Sequence, residues 1–207
     1  MPRGIRYVAV TCIILSAMVG YYAAAETWVL FRPEDQGAHS SILQPENPEL
    51  RQAVDEKTRQ AEDARRAAYA SMRDARALTL AALSVACALA FVGATRILRP
   101  FGLPREGVRR LLVIAASAAA VLRTVDGAES AVADKRYAQA LGQAFLSLPK
   151  VDEARPYAIL APLLPRMGVG IAIGATIVIA GAFGLVSQYF RSERVKKIVE
   201  FRDAHPE

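Results

Sequence analysis

Apolar and polar positions along the chain fall into long charge-free stretches separated by dense polar ones. Tyr7 to Ala25 carries no charged residue, and Thr27-Trp28-Val29-Leu30-Phe31 prolongs the apolar run beyond Glu26. Ala77 to Thr95 is equally free of charge, and Met167–Phe190 is the longest such stretch. A helix needs about 20 apolar residues to cross a hydrocarbon core of about 30 Å. The pattern therefore predicts crossings at 7–25 (to 31 when extended), 77–98, 109–130 and 167–190. The expected fold is all-α: an integral membrane four-helix bundle, 1–207 as one membrane domain, with the second and third crossings continuing as helices outside the membrane.

The third crossing is unlike the others. Only Leu111–Leu122 lacks charge, about 18 Å of helix, so a full span carries Arg123 and Asp126 into the outer part of the membrane. Glu129 follows on the same helix face. Charges at such depth are costly and are usually paired or turned toward a cavity. Arg123, Asp126 and Glu129 thus form a candidate intramembrane cluster, serving an ion or substrate path or locking helix to helix. The plainer reading is that the helix emerges here, with Arg123 snorkelling and pairing with Asp126.

The connections differ in kind. Residues 32–46 read as loop, and Asn47-Pro48-Glu49 reads as a helix start: Asn caps, Pro fits the first helical position and Glu suits the positive end of the dipole. From there to Thr95 the only Gly or Pro is Gly93, so a single long helix is expected. Its polar part has Asp55/Arg59 and Glu62/Arg66 at i,i+4 spacing. Leu50, Val54, Ala61, Ala64, Ala68 and Met72 make a thin apolar stripe that cannot bury itself. Pro and Gly residues between Arg96 and Arg110 predict a tight turn. Beyond the third crossing, Val132, Tyr137, Leu141, Phe145 and Leu148 continue an amphipathic pattern within 131–166, which closes in a segment with four prolines. The segments 48–76 and 124–148 extend adjacent antiparallel crossings and are placed to pair as a hairpin, although Gly127 and Gly142 soften the second.

Charge then sets orientation. The first six residues, 96–110 and the 191–207 tail hold 12 basic against 5 acidic residues, while 26–76 and 123–166 hold 14 against 15. The positive-inside rule assigns the first group to the cytoplasm, so both termini face inward. The segments 26–76 and 131–166 are then extracytoplasmic. Arg65, Arg66, Arg73 and Arg76, just outside the second crossing, pull the other way. The expected location is a cell membrane, with a bacterial inner membrane as the setting. The net charge of +6 marks topology and attraction to anionic lipid here, rather than nucleic acid. Ala23-Ala24-Ala25 before Glu26 also fits a signal-peptidase site; the length of the apolar run and Tyr21, Tyr22 and Trp28 as interfacial anchors favour an uncleaved segment.

Small residues recur on the crossings. Gly170, Gly174, Gly181 and Gly184 share one face of the fourth, and Ala82, Ala86, Ala90 and Ala94 make a similar line on the second. In lipid such faces let helix backbones approach, and dispersion holds the pair. Packing inside the chain's own bundle is the ordinary role; docking a second copy or another subunit is the other. Cys12 and Cys87 lie within apolar runs about one turn apart in depth, so they read as unpaired filler.

Candidate chemistry is sparse. His39 and His205 lie in polar segments, which excludes a bis-histidine haem between crossings. No phosphate-binding Gly loop, metal-spaced Cys/His set or activated nucleophile is present, and no cofactor is implied. Away from their ends, the crossings offer only Thr11, Ser16, Thr79, Ser84, Ser117 and Thr176 as hydroxyl-bearing residues, with Ser187 and Gln188 at the inner end of the fourth. The expectation is a non-enzymatic multi-pass protein whose surroundings are the lipid bilayer. It acts as an interaction, scaffold or accessory subunit and forms a homo- or hetero-oligomer through its small-residue faces. A small oligomeric transporter or channel subunit is the alternative, and the scarcity of polar lining argues against it.

Overall fold

The computed structural model describes residues 2–31, 48–98, 105–147 and 159–204. The loop at 32–46, the Asn47 cap, most of the Pro/Gly turn after the second crossing, much of the Pro-rich segment and both histidines lie outside them. Six helices are described: α1 Arg3–Phe31, α2 Pro48–Ala70, α3 Arg73–Leu98, α4 Arg105–Leu146, α5 Leu164–Arg191 and α6 Glu193–Ala204. The described residues contain no strand, so the all-α class holds. Four helices, α1, α3, α4 and α5, are long and apolar enough to cross a membrane.

Two differences from the sequence expectation concern helix ends. The single helix expected from residue 48 through the second crossing is broken at Ser71-Met72. There the Met72 amide donates to Tyr69 O at 3.0 Å, and Ser71 Oγ donates to Ala68 O at 2.7 Å. These i,i+3 bonds tighten the last turn of α2, a break that needs neither Gly nor Pro. The tail is not merely a polar end. After Ser192, whose amide and Oγ both donate to Tyr189 O, its own carbonyl accepts from the Lys196 amide and α6 begins.

The chain divides into two compact units, Met1–Phe31 with Ala77–Asp126 and Thr176–Glu207, and Arg32–Arg76 with Gly127–Ala175. In the first, small side chains are frequent on the inward faces of α1, α3 and α4, among buried large ones such as Leu80, Leu83, Leu112, Phe183 and Phe190, while many large apolar side chains face outward. On α1, Ile5, Ala9, Cys12, Ser16, Val19 and Ala23 are buried, while Tyr7, Val10, Ile14, Met18 and Tyr21 are exposed. On α3 the inward line includes Ala86, Ala90 and Ala94, and on α4 Ala115, Ala116 and Ala119. Contacts this close depend on absent side chains: a Cβ on Gly20 would meet the Cys87 Cβ at 3.0 Å, and one on Gly93 the Leu112 Cβ at 3.3 Å. In water the exposed Ile, Val, Leu and Tyr residues would form an apolar patch far larger than monomeric soluble proteins carry; in lipid they are solvated by acyl chains. Cys12 and Cys87 are both free and buried.

The second unit pairs α2 with the continuation of α4. Val54, Ala61 and Ala68 recur at seven-residue intervals and are buried, the spacing of a helix seam. Phe145 packs with Val54 and Ala161, with Leu141 and Leu164 alongside. Gly142 lets the chain at Ala161 close in, since a Cβ there would lie 2.8 Å from the Ala161 carbonyl oxygen.

Candidate functional site

The charged positions picked out by sequence separate into two pairs. Within the first unit Arg123 donates from Nη1 to Asp126 Oδ2, one turn along α4. Asp126 is fully buried, and Arg123 is 13% exposed. Two opposite charges at i,i+3 are the least costly way to carry ionised groups in low dielectric, because each supplies the other's counter-charge. Within the second unit Glu129 stands 3.8 Å from Nη1 of Arg76, which also donates to Ser130 Oγ at 3.2 Å.

Arg76 is the residue that sequence reasoning undervalued, treating it as one of four arginines complicating the orientation. Its side chain is 1% exposed, and its guanidinium lies over the Tyr69 ring at 4.7 Å. A stacked guanidinium loses less on leaving water than an ammonium would. Arg65 joins the same stitching from α2, at 3.0 Å from Asp134 and between the rings of Tyr69 and Tyr137. The available signal was opposite charge at matching distances along two antiparallel helix extensions. Burial pushes the Tyr137 phenol above its ordinary value, helped by Glu62.

A second polar site lies in the first unit, at the start of α4. Arg109 chelates Glu106 with two bonds of 2.7 Å and donates to the Phe190 carbonyl at 2.6 Å. Phe190 belongs to the last turn of α5, where carbonyls lack helical partners. The amides of Arg105 and Glu106 have the mirror-image need, and they donate to the two oxygens of Asp203 at 3.1 and 3.0 Å. Val195 and Val199 of α6 are buried in the same core cluster as α1, α3 and α4. Hydrogen bonds from Arg109, and also from Arg110, hold the Glu106 carboxyl down at about 2.

The hydroxyls of the crossings are mostly committed. Ser16 donates to Cys12 O at 2.6 Å, Ser117 and Ser187 bond each other at 2.7 Å, and Ser187 also reaches Val113 O. Four glycines of α5 behave differently from Gly20 and Gly93, and from Gly168 earlier in α5, whose Cβ would meet that of Ala138 at 3.7 Å. A Cβ built on Gly170, Gly174, Gly181 or Gly184 meets nothing within 4 Å. Beside them Ile171, Ile177, Val178 and Leu185 are exposed. The described residues hold no group of His, Cys, Asp and Glu able to bind a metal. Comparison with known proteins finds no family model, no curated relative and no solved structure that matches the chain.

Proposed function

We propose that the chain is a non-catalytic multi-pass protein of the cell membrane, an interaction, scaffold or accessory subunit of a membrane complex. The observation that carries this reading is the uncovered face of α5. Glycines at spacings of four, seven and three, with β-branched side chains beside them, form a surface against which another helix backbone can lie closely. No described atom outside the helix lies within 4 Å of where their Cβ atoms would be. The bundle takes its own close contacts from Gly20, Gly93 and the alanines of α3. Satisfied hydroxyls and self-paired charges support a packing role over a conduit, which would keep polar groups open along one path. In this reading both termini, 96–110 and 191–207 are cytoplasmic, and 26–76 and 131–166 are extracytoplasmic.

Native mass spectrometry of the gently extracted protein tests it. The wild-type chain is expected to appear in a discrete homo- or hetero-complex. Gly174→Leu with Gly181→Leu is expected to release a monomer whose thermal midpoint is unchanged, since both side chains enter open space. A wild-type chain that is monomeric in native lipid discs, or a double variant that keeps the complex, defeats the reading.

A further inference from the structure

Leu15, Met18, Val19 and Tyr22 of α1, Ile179 of α5 and Arg123 of α4 line an open groove of about 440 Å³ in the first unit. That is within the range of small-ligand sites, about 300–1,000 Å³. Met18 is 69% exposed and Tyr22 52%, so the groove opens sideways, toward lipid in the proposed setting. Arg123 is its one charged wall. Asp126 engages Nη1 but is fully buried and takes no part in the lining, so the groove meets the cationic end of the pair. Arg123 Nε is buried and has no hydrogen-bond partner. A guanidinium short of acceptors is unfavourable, and an acceptor brought to the part of Arg123 that lines the groove offsets the deficit.

We propose that the groove holds one anionic phospholipid, with an acyl chain along Leu15, Val19 and Ile179 and a phosphate oxygen accepting from the Arg123 guanidinium. The length fits this division. Leu15 to Tyr22 is about 10 Å of helix, and in the proposed orientation Tyr22 lies toward the outer boundary, where tyrosines and headgroups meet. Leu15 and Ile179 lie nearer the bilayer middle, where only an acyl chain is at home. A free anion would be stripped of water by the apolar walls, whereas a lipid satisfies wall and guanidinium together. A choline headgroup would bring a second cation toward Arg123, so the site favours net negative lipid. The inference rests on the membrane reading but is independent of the glycine face.

The experiment uses the full chain. Alkaline carbonate extraction comes first: release from the membrane overturns the bilayer reading and the lipid site with it. For the membrane-retained protein, native mass spectrometry then titrates phosphatidylglycerol, phosphatidylcholine and inorganic phosphate. One phosphatidylglycerol is expected to bind saturably and more tightly than phosphatidylcholine. Arg123→Lys keeps a cation beside Asp126 but loses the planar fork of guanidinium donors, and it is expected to weaken phosphatidylglycerol about tenfold, the equivalent of one charge-assisted hydrogen bond. Met18→Trp fills the groove without touching the ion pair and is expected to weaken it similarly. Leu89→Trp, on the exposed face of α3, is expected to change nothing. Unchanged phosphatidylglycerol affinity in both groove variants, equal binding of phosphatidylcholine, or equal binding of inorganic phosphate would falsify the proposal.

Discussion

Arg76 and Arg65 both pair with acidic residues on the continuation of α4, yet their environments differ enough to predict different costs. Arg76 is almost wholly buried, so Arg76→Ala removes a buried guanidinium that stands 3.8 Å from Glu129 and covers the Tyr69 ring. Breaking a buried pair costs about 3–5 kcal/mol. Arg65 is 45% exposed, and truncating a pair of that kind costs at most about 1 kcal/mol. Thermal unfolding in detergent should therefore separate the two variants clearly, and equal losses would show that Arg76 is not the stitching residue. Glu106 makes a prediction in pH. Its carboxyl is lowered in the fold from 4.5 to about 2. Its contribution is therefore complete above pH about 4.5 and disappears as pH falls toward about 2. Glu106→Gln should flatten that part of the acid profile while leaving the neutral midpoint lower than wild type.

At the scale of elements, the four long apolar helices were legible because the feature that marks them is a crude one: length without charge. Tyr7–Ala25 and Met167–Phe190 show it so fully that no packing detail was needed. The break at Ser71-Met72 was not legible, because serine and methionine are both tolerated inside helices and only the i,i+3 bonds reveal the turn. The α6 helix was hidden for a different reason. Val195, Ile198 and Val199 are apolar residues in a basic segment, and their value depends on a core assembled from distant parts of the chain. The charged positions were found by depth, and the pairing of Arg123 with Asp126 was legible from their i,i+3 spacing. The partner of Glu129 was not, because Arg76 reaches across from a distant part of the chain, 54 residues from Ser130, a separation that local spacing rules do not address. For α6 the expected outcome is local. Asp203→Ala should speed amide hydrogen exchange at Arg105 and Glu106 and cost about 1 kcal/mol, as for loss of a capping side chain. Exchange unchanged at those two amides would show that the cap is not made in solution.

For the whole molecule, orientation is the property on which the proposed function depends, and the buried native cysteines make it measurable. Cys12 and Cys87 are shielded, so a thiol introduced by Asp55→Cys or Lys197→Cys is read against a quiet background. In intact cells an impermeant reagent is expected to label the first and to reach the second only after permeabilisation; the reverse pattern inverts the topology. The clasp between Asp203 and the start of α4 also gives the molecule a history. The amides of Arg105 and Glu106 leave the ribosome well before the carboxylate that closes them, which follows 98 residues after Arg105. At about 5–20 residues per second that interval is roughly 5–20 s. Throughout it, the leading turn of the third crossing must be served by water, headgroups or the insertion machinery. Completion of that turn is thus a late event in biosynthesis, and a chain stalled before Asp203 would present an unfinished helix end to quality control.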